Sequence, residues 1–317
     1  MPGVQGPLVM TERPRAAVLG ANSAGMSLAS AMAARFGPVL MWEPDPDVGR
    51  PARGARAIAG VSSDLPGTVQ DAAIVGCAVP RRDLAAALEA VAPHLAHGAI
   101  VIISTIGHEV AHADASRLLP AHVSVACVTA FPPPRDDTPR TRDAPEPVTT
   151  AGISPAAGAH PDAVGVVQAI VEATGAVPFF AEAREIDGFA AATLAMPAVL
   201  GAAAIRATIA PRSSRDLDRA GGGPLATLTG VVDADVPSPE DLTALGEPVA
   251  RLLRAMADDL HHIASQLDGR GEDTSIDPAG IGSAAERRRT WLAARAAPPD
   301  APVVPDLPTP KRRRLFF

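Results

Sequence analysis

The stretch from Arg15 to Glu43, RAAVLGANSAGMSLASAMAARFGPVLMWE, constrains this chain more than any other. A short apolar run, 16–19, meets a turn spaced by two glycines, Gly20-Ala21-Asn22-Ser23-Ala24-Gly25. A helix of small residues follows, and then a second apolar run, 39–42, which ends on Glu43. Strand, tight turn, helix, strand and acid is the layout of a dinucleotide-binding βαβ unit. The first glycine lets the strand turn sharply, and the last lets helix and strand pack closely. The helix N-terminus offers free N–H groups to a pyrophosphate. An acid about 20 residues on can accept hydrogen bonds from ribose hydroxyls, and Glu43 lies 23 residues after Gly20. The middle position of G-x-G-x-x-G is Asn22. Asparagine tolerates positive φ better than most residues, but its side chain is expected to crowd the pyrophosphate. The pattern predicts cofactor contacts from Gly20, Ala21, Asn22, Ser23, Ala24, Gly25, Met26 and Glu43. The alternative is a doubly wound domain that keeps the turn without the cofactor.

The strand-helix alternation continues. After Glu43 comes a turn-rich segment carrying Arg50, Arg53 and Arg56, any of which could fold back and accommodate a 2′-phosphate. Glu43 argues for NAD, with NADP as the alternative. Residues 72–79 and 99–103 are uniformly apolar, as strands covered on both faces should be. Helical spacing fills 81–95 and 108–119. Residues 123–128, 148–153 and 177–180 read as further strands, and 161–174 as a helix. The fold class is therefore α/β: a doubly wound parallel sheet, Rossmann-like, with right-handed crossovers over 15–180. The Pro-rich, charged segment 131–147 reads either as a mobile surface loop or as a lid.

From Glu182 strand-like runs disappear. Residues 181–210 form an alanine-rich helical stretch interrupted at Pro197. Residues 213–224 are polar and glycine-rich, and 242–267 and 284–297 read as helices. This predicts a helical substrate and dimerisation domain over 181–297. A small-residue helix such as 189–209 is often buried against a second copy of itself, so a homodimer is expected. Residues 1–14 read as a flexible lead-in and 298–317, ending KRRRLFF, as a disordered tail.

At 317 residues, 47% hydrophobic and 20% charged, the chain has room for two globular domains. No apolar run approaches the ~20 residues of a membrane span, and the N-terminus lacks signal-peptide character. A net charge of −7 argues against a general nucleic-acid surface. Cys77 and Cys127 sit in apolar runs and read as buried thiols of a cytoplasmic protein.

With these pieces in order, the chain resembles the prephenate/arogenate dehydrogenase family over most of 15–297. GANSAGMSLASAM, CAVP, IVIISTIGHEVAHADASRLLP and AEAREIDGFAAATLAMPA carry the resemblance, the last being similar to the opening of that family's helical dimerisation domain. The resemblance implies a nicotinamide-dependent, dimeric oxidoreductase with its substrate between the domains and with Ala78, Val79 and Pro80 beside the cofactor. The departures are specific. The family's Ser after the fifth strand is Ile106 here, and its catalytic His before a proline is Phe131. Its Ser-His-Leu-Pro-His stretch is Leu194-Ala195-Met196-Pro197-Ala198. The family's carboxylate-binding Arg falls near GGGPLATLTG, which has none. The base that the decarboxylating hydride transfer needs is missing. Neither prephenate nor arogenate activity is expected. A different, less charged substrate is expected instead, of the kind found in specialised metabolism.

Other groups remain for the site. The loop after the fifth strand lies near the nicotinamide in such folds, which makes Ser104, Thr105 and His108 catalytic candidates, His108 as a replacement acid. The competing reading is a helix-capping Thr105 and a solvated His108. Phe131 and Arg184 are substrate-side candidates, Arg184 for an anion, with Glu185 and Asp187 beside it as first-turn charges. His108-Glu109-Val110-Ala111-His112 fits H-E-x-x-H, which on a helix could bind zinc with Glu109 as base. Its context, a crossover helix in a doubly wound sheet, is wrong for a metallohydrolase, and no metal is assigned. Three functions stay open: an oxidoreductase on a new substrate, a non-catalytic or regulatory relative, and a metal-dependent enzyme using His108, Glu109 and His112.

Overall fold

A computed structural model describes residues 15–133, 149–208, 222–232, 237–268 and 279–296. Eight strands form one sheet: β1 (Ala16–Leu19), β2 (Val39–Trp42), β3 (Ile58–Ser62), β4 (Ile74–Cys77), β5 (Ile100–Ser104), β6 (Ser124–Phe131), β7 (Thr150–Pro155) and β8 (Val177–Phe180). Their order is β3-β2-β1-β4-β5-β6-β7-β8. The chain moves outward from β1 in both directions, so the carboxyl ends of β1 and β4 flank the crevice where such sheets bind ligands. The central strands are apolar on both faces because helices cover both. One apolar layer gathers Val18, Leu28, Met32, Ile102 and Ile170, and the opposite layer gathers Leu19, Val75, Leu88, Val101 and Ile103.

The sheet departs from the expected all-parallel arrangement at one place. β7 pairs antiparallel with β6, and β8 runs parallel to β7. β3 adds a strand just after the turn-rich segment, in a stretch not expected to be a strand, because its IAGVS sequence is short and half-buried at the sheet edge.

Helices α1 (Ser23–Phe36), α2 (Leu65–Val69), α3 (Arg81–Val91), α4 (His108–Leu118) and α5 (Pro161–Ala173) connect the strands. Beyond β8 come α6 (Ala183–Ala190), α7 (Met196–Thr208), α8 (Gly223–Thr229), α9 (Pro239–Ala244) and α10 (Gly246–Leu267), with α11 (Ala279–Ala296) last. Pro197, which reads as an interruption, does not break its helical stretch. A π-turn over Ala191–Ala195 joins α6 to α7, with the Met196 N–H bonded back to the Ala191 carbonyl. The wider turn makes room where a proline ring and its missing donor would strain an α-helix.

The helices from α6 to α10 lie in the same compact unit as the sheet, and α11 lies in a second unit. The helical segment expected over 181–297 is thus divided between the units. The lead-in 1–14, most of the 131–147 segment, most of 213–224 and the tail 298–317 lie outside the described residues. One helical run, Ala183–Thr208, is long and apolar enough to cross a membrane by length and composition, contrary to the reading of short apolar runs. Its Ile186, Ala190, Ala191 and Ala195 are fully buried in the chain's own core.

Candidate functional site

The glycine-spaced turn sits at the carboxyl edge of β1, between β2 and β4. Gly20 has φ +94, and a Cβ there would lie 2.6 Å from the Ala78 carbonyl oxygen. No other residue takes that conformation against that neighbour without strain. A Cβ on Gly25 would collide with the Gly20 carbonyl. Asn22 corrects the expectation. Its φ is −70, so no left-handed tolerance is used. Its carboxamide folds into the turn: Oδ1 accepts from the Gly25 N–H at 2.9 Å, and Nδ2 donates to the Ala78 carbonyl at 2.6 Å. Asn22 caps α1 and ties the turn to the end of β4, two tasks a glycine leaves undone.

Met26 corrects the other end of the turn. Its N–H donates to the Asn22 carbonyl at 2.9 Å, the first bond of the helix ladder, and so is not free for a pyrophosphate. Its half-buried side chain packs against the apolar layer of Val18, Leu28 and Met32. Met26 therefore anchors the turn from behind, where the sequence pattern placed it among the cofactor contacts. The free donors of α1 are those of Ser23 and Ala24, its first two residues, which a helix cannot satisfy internally.

The acid is in place. Glu43 Oε2 accepts the Ala21 N–H at 3.0 Å, and Oε1 accepts the Asp45 N–H at 3.1 Å. The turn is thus tied to Glu43 on one side through Ala21 and to Ala78 on the other through Asn22. Arg50 pairs with Asp47, and Arg53 and Arg56 are exposed.

The loop after β5 is held from several elements at once. Gly107 starts α4 with φ +80, and a Cβ there would lie 2.7 Å from the Ala244 Cβ of α9. Glycine is required both by φ and by that close approach. Having no side chain, Gly107 cannot cap α4. Asp187 of α6 does so across 79 residues: its carboxylate accepts the His108 N–H at 2.6 Å and the Glu109 N–H at 3.0 Å. Asp187 is buried and spends its charge on a helix N-terminus, which favours an anion. It is therefore neither a cleft charge nor a cap of its own helix, whose capping box uses Glu182 and Glu185. Arg81, buried at the start of α3, donates to the Gly107 carbonyl at 3.4 Å. Thr105 does not cap α4; its hydroxyl bonds the Ile106 carbonyl at 2.9 Å.

His108 is fully buried rather than solvated. Nδ1 lies 2.7 Å from Ser154 Oγ, and Nε2 lies 2.8 Å from Thr129 Oγ1, which donates to the Thr105 carbonyl. His112, one turn on, places Nε2 2.8 Å from the same Ser154 Oγ and Nδ1 3.9 Å from Cys127 Sγ. The antiparallel pairing of β6 and β7 sets Cys127 opposite Ser154. Thr129, two residues along β6, shares that face. The i, i+4 spacing on α4 then brings both imidazoles down onto it. Burial pushes the His108 pKa down to about 3, with His112 and Arg81 adding to the shift and the Thr105 carbonyl opposing it. Burial lowers His112 as well, against the pull of Ser154 and Asp187. Burial raises the Cys77 thiol to about 12 and the Cys127 thiol further, so both free cysteines are inert thiols.

These positions correct two sequence expectations. The general-acid role fails for His108, because both its ring nitrogens are engaged and no part of it is exposed. The zinc reading fails because each imidazole is held by hydroxyls, Glu109 is exposed, and among the described residues no three ligating side chains converge. Ser104 and Thr105 stay half-buried at the end of β5.

The remaining candidates separate. Arg184 is exposed at the start of α6. Phe131 is 6% exposed and packs with Ile186, Ala190, Ala191, Ala195, Leu245 and Val249; Ile106 and Leu194 press on the same cluster. Its ring lies 5.9 Å from Phe179. Phe131 is thus part of a core between sheet and helices rather than an open substrate contact. The positions that depart from the resembled family, Ile106, Phe131, Leu194 and Ala195, meet in this one apolar cluster. Asp187, Arg81, Thr129 and Ser154 carry no sequence signature as site-forming residues. The one signal pointing to Asp187 is Gly107, a helix start with no cap of its own.

No protein-family profile and no curated protein matches the sequence. Solved structures do. The prephenate dehydrogenase of Aquifex aeolicus, in complex with hydroxyphenyl propionate and NAD+, superposes with a TM-score of 0.70 at 14% identity, covering 88% of this chain and 98% of its own. The arogenate dehydrogenase of Synechocystis superposes with a TM-score of 0.66 at 17% identity, covering 87% and 99%. The chain has the fold of these dehydrogenases along nearly its whole described length.

Proposed function

We propose that this protein binds a nicotinamide dinucleotide at the carboxyl edge of β1, β2 and β4 and transfers hydride to or from a small, weakly charged substrate. The assembled turn carries this reading. The Gly20 backbone approaches β4 too closely for any Cβ, and the α1 N-terminus presents the Ser23 and Ala24 N–H groups for a pyrophosphate. Glu43 keeps lone pairs for ribose hydroxyls after accepting Ala21 and Asp45. Asn22 does not oppose the fit, because its carboxamide is turned onto Ala78 and Gly25. Ala78, Val79 and Pro80 line the far side. The residues present therefore fit the cofactor, which when bound supplies the hydride acceptor or donor. Glu43 repels a 2′-phosphate, and among the described residues Arg50 is drawn to Asp47 rather than back to the turn, so NAD is the preferred form.

The apolar cluster shapes the substrate. With Ile106, Phe131, Leu194 and Ala195 packed together, no imidazole is available there to take a hydroxyl proton. Ser104 and Thr105 are the polar side chains left as catalytic candidates there, and with His108 buried the proton passes to water. Prephenate and arogenate, which need that base, are not substrates. The same cluster is the observation that favours the second reading, a fold-retaining protein that binds the cofactor or a metabolite without turnover.

The helical region supports a homodimer. α10 buries Val249 and half-buries Leu252 and Leu253, while Leu260, Ile263 and Leu267 stand 55%, 42% and 64% exposed farther along. An uncovered apolar stripe of that length fits a partner helix.

Titration of the purified protein with NAD, NADH, NADP and NADPH, by fluorescence and melting shift, tests the cofactor. NADH is expected to bind more tightly than NADPH, and no binding of any of the four at millimolar concentration would eliminate the oxidoreductase reading. NADH formation from prephenate at an ordinary enzymatic rate would refute the substrate argument.

A further inference from the structure

Proton counting through the buried polar residues leaves one arrangement. The Thr105 carbonyl can only accept, so Thr129 spends its single hydroxyl proton there. Thr129 Oγ1 must then accept from His108, which places the His108 proton on Nε2. His108 Nδ1 is left with a lone pair, so Ser154 donates to it. Ser154 has no second proton, so it accepts from His112 Nε2–H. His112 Nδ1 in turn faces the Cys127 thiol, a weak donor. The five donors all point one way. The opposite polarity would strip the Thr105 carbonyl of its donor and end on sulfur, a poor acceptor, so the carbonyl end sets the direction.

We propose that Thr129, His108, Ser154 and His112 form a positioning relay for the loop after β5, with both imidazoles neutral and each carrying its proton on Nε2. The relay holds Thr105 from inside the molecule. Arg81 on the Gly107 carbonyl and Asp187 on the His108 and Glu109 N–H groups hold the rest of the same loop. His108 is thus a positioning residue: it acts on the loop's carbonyl and touches no substrate. The charged and titratable groups around it are His112 on its own helix, Arg81 on α3 and Asp187 on α6. The relay's effect on cofactor affinity rests on the nicotinamide reading above; its tautomers do not.

Imidazole nitrogen NMR on the full-length protein at pH 7 tests the tautomers directly. The expected result is a neutral Nε2–H pattern for both His108 and His112, with the His108 N–H protected from exchange. A Nδ1–H tautomer or a charged ring at His108 overturns the proposal. Ser154→Ala cuts the chain between the rings, whereas Ser154→Thr keeps the hydroxyl. The alanine variant is expected to leave His108 Nε2–H, still set by Thr129, but to lose the single His112 tautomer and to weaken NADH binding about three- to tenfold, the worth of one neutral hydrogen bond. The threonine variant is expected to restore both. An unchanged His112 tautomer with unchanged NADH affinity in Ser154→Ala also overturns the relay. If the wild-type protein binds no NADH, the cofactor reading falls and the tautomers alone decide the relay.

Discussion

Replacing His108 with Gln should change how stability responds to acid. The glutamine side chain would keep an amide donor toward Thr129 and a carbonyl acceptor toward Ser154, but it cannot titrate. In the wild type the folded-state pKa of His108 is about 3, against an ordinary value of 6.5. Above pH 6.5 the ring is neutral in both states and the protein has its full stability. Between 6.5 and about 3 the unfolded chain takes up a proton that the folded chain refuses, so stability falls as pH falls. Each pH unit in that window is worth about 1.4 kcal/mol, and the whole window has a ceiling of about 5 kcal/mol. His108 is fully buried, so solvent screening does not reduce this figure appreciably. His112, also shifted down, stays in both proteins and cancels to first order. From pH 7.5 to pH 5 the wild type should lose about 2 kcal/mol more than His108→Gln, as the integral of one proton's uptake gives. Urea unfolding of both proteins at half-unit pH steps measures the difference. The variant starts about 1 kcal/mol lower from poorer hydrogen-bond geometry, and the gap should close or reverse in acid. A gap that stays constant from pH 7.5 to pH 5 would show that His108 titrates normally in the fold and would refute the buried-neutral account.

Asp187→Ala removes the two-pronged cap of α4 and leaves buried N–H groups on His108 and Glu109; a loss of about 2–4 kcal/mol is expected in urea unfolding. Asn22→Gly restores the usual glycine of the turn but deletes the cap and the link to Ala78, so it should lower the melting temperature, by about 1 kcal/mol of stability, rather than improve the fold. Sedimentation at micromolar concentration should find a dimer. Ile263→Glu should convert it to monomer while leaving the far-ultraviolet circular dichroism unchanged, and a wild-type monomer would remove the helical dimer.

Much of the architecture was legible because its causes are local. Gly20, Gly25, the apolar runs and Glu43 stand at fixed spacings within one βαβ unit, and covered strands must be apolar wherever they sit. The substitutions at Ile106, Phe131, Leu194 and Ala195 could also be read along the chain. The antiparallel β7 escaped, since a short buried strand carries the same apolar pattern in either direction. So did the role of Asn22, because whether a carboxamide points into the ligand space or back onto Ala78 depends on a strand 56 residues away. Met26 shows the same limit on a smaller scale: the turn's spacing includes it, but the helix ladder and the core claim its N–H and its side chain.

The sequence by itself determined a doubly wound sheet with a dinucleotide-shaped turn and an acid at the end of its second strand. Only the tertiary structure decided what the polar residues do. Cys127 and Ser154 become neighbours through strand register, and His108 and His112 through helical period. Asp187 reaches the start of α4 because α6 packs across it. Apart from the i, i+4 spacing of the two histidines, these contacts leave no periodic trace, because a hydrogen bond between distant residues imposes no spacing on the chain between them. The same packing fully buries a histidine that reads either as a catalytic acid or as a solvated side chain.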